Sequence, residues 1–266
     1  MKMQDKVAIV TGAALGYKEG GPSIGSAIAF KLASEGAKVV VVDILKEMGQ
    51  RTVDRIRENG GEGLFIRTDV SKTEEVKKAI EEVEGEYGML HNLINCAASY
   101  EGDIFRNVVE IPEEDWCSTI NVNLNGYFRF AKYAIPLILR SGGGTIVNIS
   151  SGAAFRVLKN FCVYPVTKAA INSLTRTIAI DFAPKIRCNS ICPGFVRIAN
   201  SEGDRTPDEI EEWITGIAEK YPLKRVCSVE EIANAVLFLV SDDSSYINGQ
   251  NIVVDGGYLI QDSHDF

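Results

Sequence analysis

The stretch that decides the fold is Lys6-Val7-Ala8-Ile9-Val10-Thr11-Gly12, an apolar run of strand type that ends in a glycine. A loop with further glycines follows, and from Ser23-Ile24-Gly25 onward the apolar residues recur at helical spacing. The next run, Lys38-Val39-Val40-Val41-Val42-Asp43, is β-branched and ends on an acid. The order of strand, glycine turn, helix, strand and acid predicts a parallel βαβ unit.

This unit is typical of folds that bind dinucleotides. The glycines let the backbone approach a pyrophosphate, the helix N-terminus faces the phosphates, and the acid accepts hydrogen bonds from ribose hydroxyls. We therefore predict that Gly12, Ser23, Ile24 and Asp43 bind a dinucleotide. A nucleotide-free α/β protein with a glycine-rich connection is the alternative.

The carboxylate of Asp43 also bears on which dinucleotide binds. It accepts hydrogen bonds from both hydroxyls of the adenosine ribose and repels a 2′-phosphate, so NAD is favoured over NADP. Lys18 and Lys46 would soften that repulsion if they lay nearby.

A second pattern is the pair Tyr164 and Lys168, with Ser151 thirteen positions before the tyrosine. The i, i+4 spacing places both side chains on one face of a helix. An ammonium near a phenol stabilises the phenolate, which is able to take a proton from an alcohol. A chance spacing on an exposed helix explains the same residues without any chemistry.

The rest of the chain alternates between strand and helix patterns, which predicts one Rossmann-type α/β domain over residues 1–266. We expect a doubly wound parallel sheet with helices on both of its faces. A helix is predicted from Ser71, as its cap, to Tyr87, and a long one over 112–139 that Pro136 kinks or ends early.

Composition excludes several classes of function. The net charge of −8 and the pI near 5.0 argue against a nucleic-acid partner. The N-terminus lacks the apolar segment of a signal peptide, and no apolar run reaches the ~20 residues of a membrane span. We expect a cytoplasmic protein. With two histidines and six cysteines that form no C-x-x-C pair, no metal site is expected.

The chain resembles the short-chain dehydrogenase/reductase family over nearly its whole length. The positions that carry the resemblance are Thr11-Gly12, Asp69-Val70, Asn95-Cys96-Ala97-Ala98, Val122-Asn123-Leu124 with Gly126, Asn148-Ile149-Ser150-Ser151, Tyr164 with Lys168, Pro193-Gly194 and Asp255-Gly256-Gly257. Several motifs in the family's order are far more specific than any one of them.

The resemblance implies a set of roles. Tyr164 would be the general acid and base for alcohol–ketone interconversion, Ser151 would bind the substrate oxygen, and Lys168 would bind the nicotinamide ribose. Asn123 would anchor a water that passes the proton on. The further cofactor contacts implied are Asp69 and Val70 at the adenine, Asn95, Ala97, Pro193 and backbone groups near Val196.

Three departures from the family pattern matter. Cys96 and Ala98 replace the family's second asparagine and its glycine, which is a conservative loss at a strand end. The glycines Gly12 and Gly25 are thirteen positions apart, and this stretched turn ending in Ser-Ile-Gly looks like the enoyl-reductase branch of the superfamily. Ile198 stands where the family often has a threonine that holds the carboxamide. Reduction of an enoyl thioester is therefore one rival hypothesis, and a dinucleotide-binding sensor without turnover is another.

The resemblance implies a small alcohol or ketone as substrate, and the sequence does not identify which one. The segment 195–221, which closes the pocket in this family, is mostly acidic (Glu202 and Asp204 among others), as an exposed helix face would be. Apolar candidates for the pocket wall are Phe155, Phe161, Phe195 and Trp213, which would suit a steroid or another ring alcohol. Candidates that would meet a carboxylate, as in a sugar acid, are Arg156, Lys159 and Arg197. A polyol, a sugar, a hydroxysteroid and a hydroxyacyl substrate all remain open.

We predict a homotetramer. Apolar residues at helical spacing on two helices suggest a surface that meets another subunit. They are Tyr127, Phe130, Tyr133, Leu137, Ala170, Leu174 and Ile178. The tail from Tyr258 to Phe266 would then reach a neighbouring active site or fray.

Overall fold

The computed structural model describes residues 1–16, 21–198, 203 and 205–261, and in these ranges seven strands form one parallel sheet. The strands are β1 (Val7–Thr11), β2 (Lys38–Asp43), β3 (Glu62–Arg67), β4 (Asn92–Asn95), β5 (Gly144–Ile149), β6 (Ile186–Pro193) and β7 (Asn251–Val254). The α-helices are α1 (Ile24–Ser34), α2 (Lys46–Glu58), α3 (Thr73–Tyr87), α4 (Glu113–Asn123), α5 (Asn125–Arg140), α6 (Val163–Asp181), α7 (Pro207–Ala218) and α8 (Val229–Val240). The predicted Rossmann-type α/β fold is confirmed.

Helices cover both faces of the sheet, and β2 shows the consequence for sequence. Val39 and Val41 pack into the hydrophobic cluster that includes α1 and α8, whereas Val40 and Val42 pack into the cluster that includes α3 and α5. All four valines are fully buried. A strand covered on both sides has no polar face, which is why it reads as a continuous apolar run.

The order of the strands places a crevice at one edge of the sheet. The order is β3-β2-β1-β4-β5-β6-β7, so the chain leaves β1 towards β2 on one side and returns to β4 on the other. The connections at the carboxyl ends of β1 and β4 therefore diverge, and ligands of open α/β sheets bind at such a point.

Two helix predictions are wrong in detail. Helix α3 begins after Lys72, which makes no side-chain capping bond, so Ser71 is not the cap. The predicted helix over 112–139 is two helices that divide at Leu124, and Pro136 lies inside α5 without ending it. A proline removes one backbone hydrogen bond. Burial of Leu137 and Ile138 beyond it stabilises the continuing helix.

The residues predicted to meet another subunit are mostly buried within the chain itself. Tyr127, Phe130 and Leu137 are almost inaccessible, and Ile178 is also buried. Phe130, Leu137 and Ile178 belong to the cluster on the α3–α5 face of the sheet. These side chains of α5 and α6 pack onto that face, so they are core residues of the chain.

No helix in the described ranges combines the length and hydrophobicity that a membrane crossing requires. The same ranges contain no group of three histidine, cysteine or acidic side chains placed to hold a metal ion. His91 accepts a hydrogen bond at Nδ1 from the Val7 backbone N–H at 3.0 Å, so it has a structural partner within the chain. Lys18, Glu202, Asp204 and His264 lie outside these ranges.

Candidate active site

The loops after β1 and β4 meet backbone to backbone. Gly12 has φ +66°, and a Cβ there would lie 2.6 Å from the Cα of Ala97. A Cβ on Gly25 would overlap the carbonyl oxygen of Gly12. Thr11 joins the two loops, because its Oγ1 accepts hydrogen bonds from the N–H groups of Cys96 at 3.0 Å and Ala97 at 3.2 Å. Only glycine allows α1 to start so close to the end of β1.

The N-terminus of α1 opens onto this crevice with a complete cap. Ser23 Oγ accepts from the Ser26 N–H at 3.0 Å and donates to the Ala14 carbonyl at 2.8 Å. The first turn of α1, which begins at Ile24, carries no acidic residue. The positive end of the helix dipole therefore stays available to an anion.

Asp43 ends β2 beside the glycine turn. Its Oδ2 accepts from the Ala14 N–H at 3.0 Å, and its Oδ1 accepts from the Leu45 N–H at 3.0 Å. Burial raises the pKa of this carboxyl, and the hydrogen bonds from Ala14, Leu45 and Ile44 oppose that shift. The bonds from the Ala14 and Leu45 N–H groups fix the carboxylate plane and leave further lone pairs on both oxygens.

The other predicted cofactor residues lie at the same edge of the sheet or next to it. Asp69 follows β3, and its Oδ1 accepts from the Ser71 N–H at 2.9 Å, while Val70 is buried. Asn95 ends β4, and its Nδ2 donates to Asn148 Oδ1 on β5 at 2.9 Å. That bond makes Asn95 a link between neighbouring strands.

Pro193 ends β6, and Val196 follows it as a buried residue whose neighbours in the chain pair with Cys227. Cys227 bonds to the residues on either side of Val196, because its N–H donates to the Phe195 carbonyl and its carbonyl accepts from the Arg197 N–H. Within the part of the chain that the structure describes, the N–H and C=O of Val196 itself make no hydrogen bond. Both groups are free to bind an amide.

Helix α6 places the predicted catalytic pair on one face. Lys168 is 2% exposed, and its Nζ donates to the Ile149 carbonyl at 2.9 Å. The same Nζ lies 5.4 Å from the centroid of the Tyr164 ring and 5.4 Å from that of Tyr127. Tyr127 Oη donates to the same carbonyl at 3.0 Å. The ammonium is therefore fixed between two aromatic rings, whose faces attract a cation.

Ser151 and Asn123 are held by different means. Ser151 caps the short 3₁₀ helix Gly152–Ala154, since its Oγ accepts from the Ala153 N–H at 3.1 Å and keeps its proton for another acceptor. Asn123 is fully buried, and it binds the backbone of Ser99 twice, at 2.7 Å through Oδ1 and at 3.0 Å through Nδ2. No hydrogen bond in the described ranges joins Ser151 to Tyr164.

Sequence reasoning missed Tyr100. Its hydroxyl donates to the hydroxyl of Tyr164 at 2.9 Å, and the two ring centroids are 5.2 Å apart. Phe161, which the sequence suggests for the pocket wall, stacks on Tyr164 with ring centroids 4.9 Å apart, and Phe105 stacks on Phe161 at 4.7 Å. Nothing in the local sequence distinguishes Tyr100 or Phe105, because a loop of irregular backbone brings them there.

The residues suggested for the substrate pocket contact other residues of the chain or are exposed. Phe195 and Trp213 pack edge to face at 5.2 Å. Arg197 donates to Glu211 at 2.9 Å, and Arg156 lies 4.9 Å from the ring centroid of Tyr258. These two arginines therefore already have partners within the chain. Phe155 is 53% exposed, and Lys159 is exposed as well.

Comparison with known proteins agrees with this geometry. Residues 20–259 match the family model described as Enoyl-(Acyl carrier protein) reductase. A curated oxidoreductase of Thermotoga maritima is 38% identical over 97% of this chain and 98% of its own, and the cyclohexanol dehydrogenase of an Acinetobacter species is 36% identical over 97% and 96%. The solved structure of the aldohexose dehydrogenase of Thermoplasma acidophilum matches with a TM-score of 0.85, at 34% identity, over 99% of this chain and 98% of that one.

A parallel Rossmann-type sheet with a buried lysine beside a tyrosine defines a class of dinucleotide-dependent oxidoreductases. The chain belongs to the short-chain dehydrogenase/reductase family, as its motifs predicted. It is an enzyme of the kind that acts on CH–OH groups.

Proposed function

We propose that the protein is an NAD-dependent enzyme that interconverts a secondary alcohol and a ketone, with Tyr164 as general acid and base. The observation that carries this proposal is the buried ammonium of Lys168, which the Ile149 carbonyl holds beside the Tyr164 ring. A fixed positive charge stabilises a phenolate, and a phenolate takes the hydroxyl proton of an alcohol.

The remaining roles are those that the family resemblance implies. A bound nicotinamide dinucleotide supplies the hydride acceptor for oxidation and the hydride donor for reduction. Tyr164 removes the hydroxyl proton of the alcohol, while Ser151 donates its free proton to the same oxygen and stabilises the charge that develops there. Lys168 binds the nicotinamide ribose, and a water near Asn123 carries the proton onward, as the family resemblance implies.

The crevice fits such a dinucleotide. Gly12 allows the turn after β1 to pack directly against the backbone of Ala97, and the capped α1 N-terminus at Ile24 offers free N–H groups and a positive dipole end to a pyrophosphate. The lone pairs of Asp43 suit the ribose hydroxyls, and the free backbone groups of Val196 replace the side-chain clamp that Ile198 cannot provide. Asp69, Val70, Asn95, Ala97 and Pro193 complete the proposed cofactor site.

Asp43→Asn is expected to reduce the preference for NAD. The amide keeps the size of the side chain and removes the charge that repels a 2′-phosphate, so the ratio of kcat/KM with NADH to that with NADPH falls about tenfold. Steady-state kinetics with both cofactors on one ketone measure the ratio. Asp54→Asn, on an exposed face of α2, is the matched control and leaves the ratio unchanged. A wild-type enzyme that prefers NADPH would contradict the proposal.

The substrate that the pocket supports best is a cyclic secondary alcohol. The rings of Tyr100, Phe161 and Phe105 form a continuous aromatic wall with Tyr164. Such a wall favours an apolar ring over an acyclic polyol, and the Acinetobacter relative is named for a ring alcohol.

A panel of cyclic alcohols, sugars, acyclic polyols and hydroxyacyl thioesters, assayed with NAD by NADH absorbance, tests this proposal. We expect the highest kcat/KM with a cyclic alcohol. A clear preference for glycerol-like polyols or for hydroxyacyl thioesters would refute the substrate class and leave the alcohol–ketone chemistry intact.

Enoyl-thioester reduction is the second candidate, because the stretched Gly12–Gly25 turn and the description of the family model both favour it. Reduction of crotonyl thioester without activity on any ketone would establish it. NADH binding without turnover of any compound would indicate a sensor instead.

We also propose that the enzyme is a homotetramer. The support lies in exposed apolar side chains of α5 and α6, namely Phe128, Leu139, Val166 and Ile180. Light scattering at micromolar concentration is expected to give four times the chain mass of 29.1 kDa. A mass near that of one chain would disprove the assembly.

A further inference from the structure

The loop between β4 and α4 brings a second phenol onto the proposed base. Tyr100 Oη donates a hydrogen bond to Tyr164 Oη at 2.9 Å, and the two rings lie at 32° to each other. The Tyr100 residue is 53% exposed, so its hydroxyl reaches inward from the surface. The proposed base therefore has a hydrogen-bond donor before any substrate arrives.

The backbone on both sides of Tyr100 is anchored. Asn123 holds the N–H and the C=O of Ser99, the residue before it. The Asp103 N–H, three residues after it, donates to Asp115 Oδ2 on α4 at 2.9 Å. By holding Ser99, Asn123 fixes the backbone directly before Tyr100 and so helps to position the Tyr100 side chain.

A donor in this place acts on the charge state of Tyr164. A hydrogen bond to an ionised acceptor is about twice as strong as one to a neutral acceptor, so it favours the phenolate. Tyr100 itself stays protonated, because desolvation of its hydroxyl and then the nearby Tyr164 raise its pKa. It therefore remains a donor when Tyr164 ionises.

Three other ionisable side chains lie near Tyr100 and Tyr164. Lys168 faces Tyr164 from α6 as a fixed cation. Burial raises the pKa of Tyr127 on α5 well above its ordinary value and that of Cys96, after β4, to about 12. Both remain neutral near neutral pH, so neither places a charge beside Tyr164.

We propose that Tyr100 is a positioning residue that stabilises Tyr164 as a base in the enzyme before the alcohol binds. The inference rests on the proposed function, because it assigns Tyr100 a role through Tyr164. On binding, the substrate oxygen takes over the contact to Tyr164, and the exposed Tyr100 ring has solvent to move into.

The test is the pH profile of alcohol oxidation by Tyr100→Phe. The parameter kcat/KM reports the enzyme before the alcohol binds. We expect its rising limb to shift upward by about one pH unit, so that the rate below the limb falls about tenfold. The high-pH plateau of oxidation and the low-pH plateau of ketone reduction stay unchanged, because Tyr164 is fully ionised in the first and fully protonated in the second, and the kcat profile shifts less. Tyr246→Phe, at a fully exposed tyrosine, is the control and changes neither profile.

A titration of phenolate absorbance tests the same point without a substrate. The protein has nine tyrosines. The first step in phenolate absorbance as the pH rises is expected to be absent in Tyr164→Phe and to occur at higher pH in Tyr100→Phe. The inference would be overturned if Tyr100→Phe shifted neither the rising limb of kcat/KM nor the phenolate titration. It would also be overturned if Tyr100→Phe lowered the rates of alcohol oxidation and ketone reduction equally at every pH. Retained activity of Tyr164→Phe would instead refute the proposed function.

Discussion

Tyr164→Phe is expected to lower kcat by about a hundred- to ten-thousandfold, which is the range for losing a general acid–base group. The ring remains, so its stacking on Phe161 and its contact with Lys168 persist. The hydroxyl is lost, and with it the proton carrier and the acceptor of the Tyr100 hydrogen bond. Steady-state rates of NADH formation on the best alcohol of the panel measure the effect.

The affinity for NADH shows whether Tyr164→Phe has lost only its catalytic step or has also lost its folded structure. Lys168 and Gly12 are unchanged in the variant, so we expect the Kd for NADH to stay within about a factor of two to three, well under one kcal/mol. Tyr246→Phe is the control, because it makes the same substitution at an exposed position, and it is expected to keep the full rate. If Tyr164→Phe retained near wild-type kcat, Tyr164 would not be the acid and base.

Gly25→Ala is expected to destabilise the protein by about 1–3 kcal/mol, as overpacking of a tight site does. The added Cβ would overlap the carbonyl oxygen of Gly12, and a backbone atom cannot turn aside as a side chain can. The start of α1 must therefore move away from β1. Since that movement opens the proposed pyrophosphate site, NADH affinity falls at least about tenfold.

Gly85→Ala is the matched control for this prediction. Gly85 lies in α3, is exposed, and has open space where a Cβ would stand. Alanine there is expected to stabilise the protein by about 0.5–1 kcal/mol with unchanged NADH affinity. Thermal unfolding and NADH fluorescence measure both quantities. Equal behaviour of the two variants would contradict the steric argument.

The fold was predictable because its signals are local. The run Val39–Val42 is buried on both faces of the sheet, and this requirement appears in the sequence as four consecutive valines. The pair Tyr164 and Lys168 was equally accessible to prediction, since the i, i+4 relation is a property of one helix. Where a helix breaks depends on competing contacts, so Leu124 rather than Pro136 divides the two helices.

The sequence by itself determined the family, the parallel sheet and the spacing of Tyr164 and Lys168. Only the tertiary structure decided that Tyr127 and Phe130 are core residues and that Tyr100 donates to Tyr164. These contacts join residues far apart in the chain through loops without a repeating pattern. No local periodicity records such a contact, because it depends on where the sheet places the ends of β4 and α6.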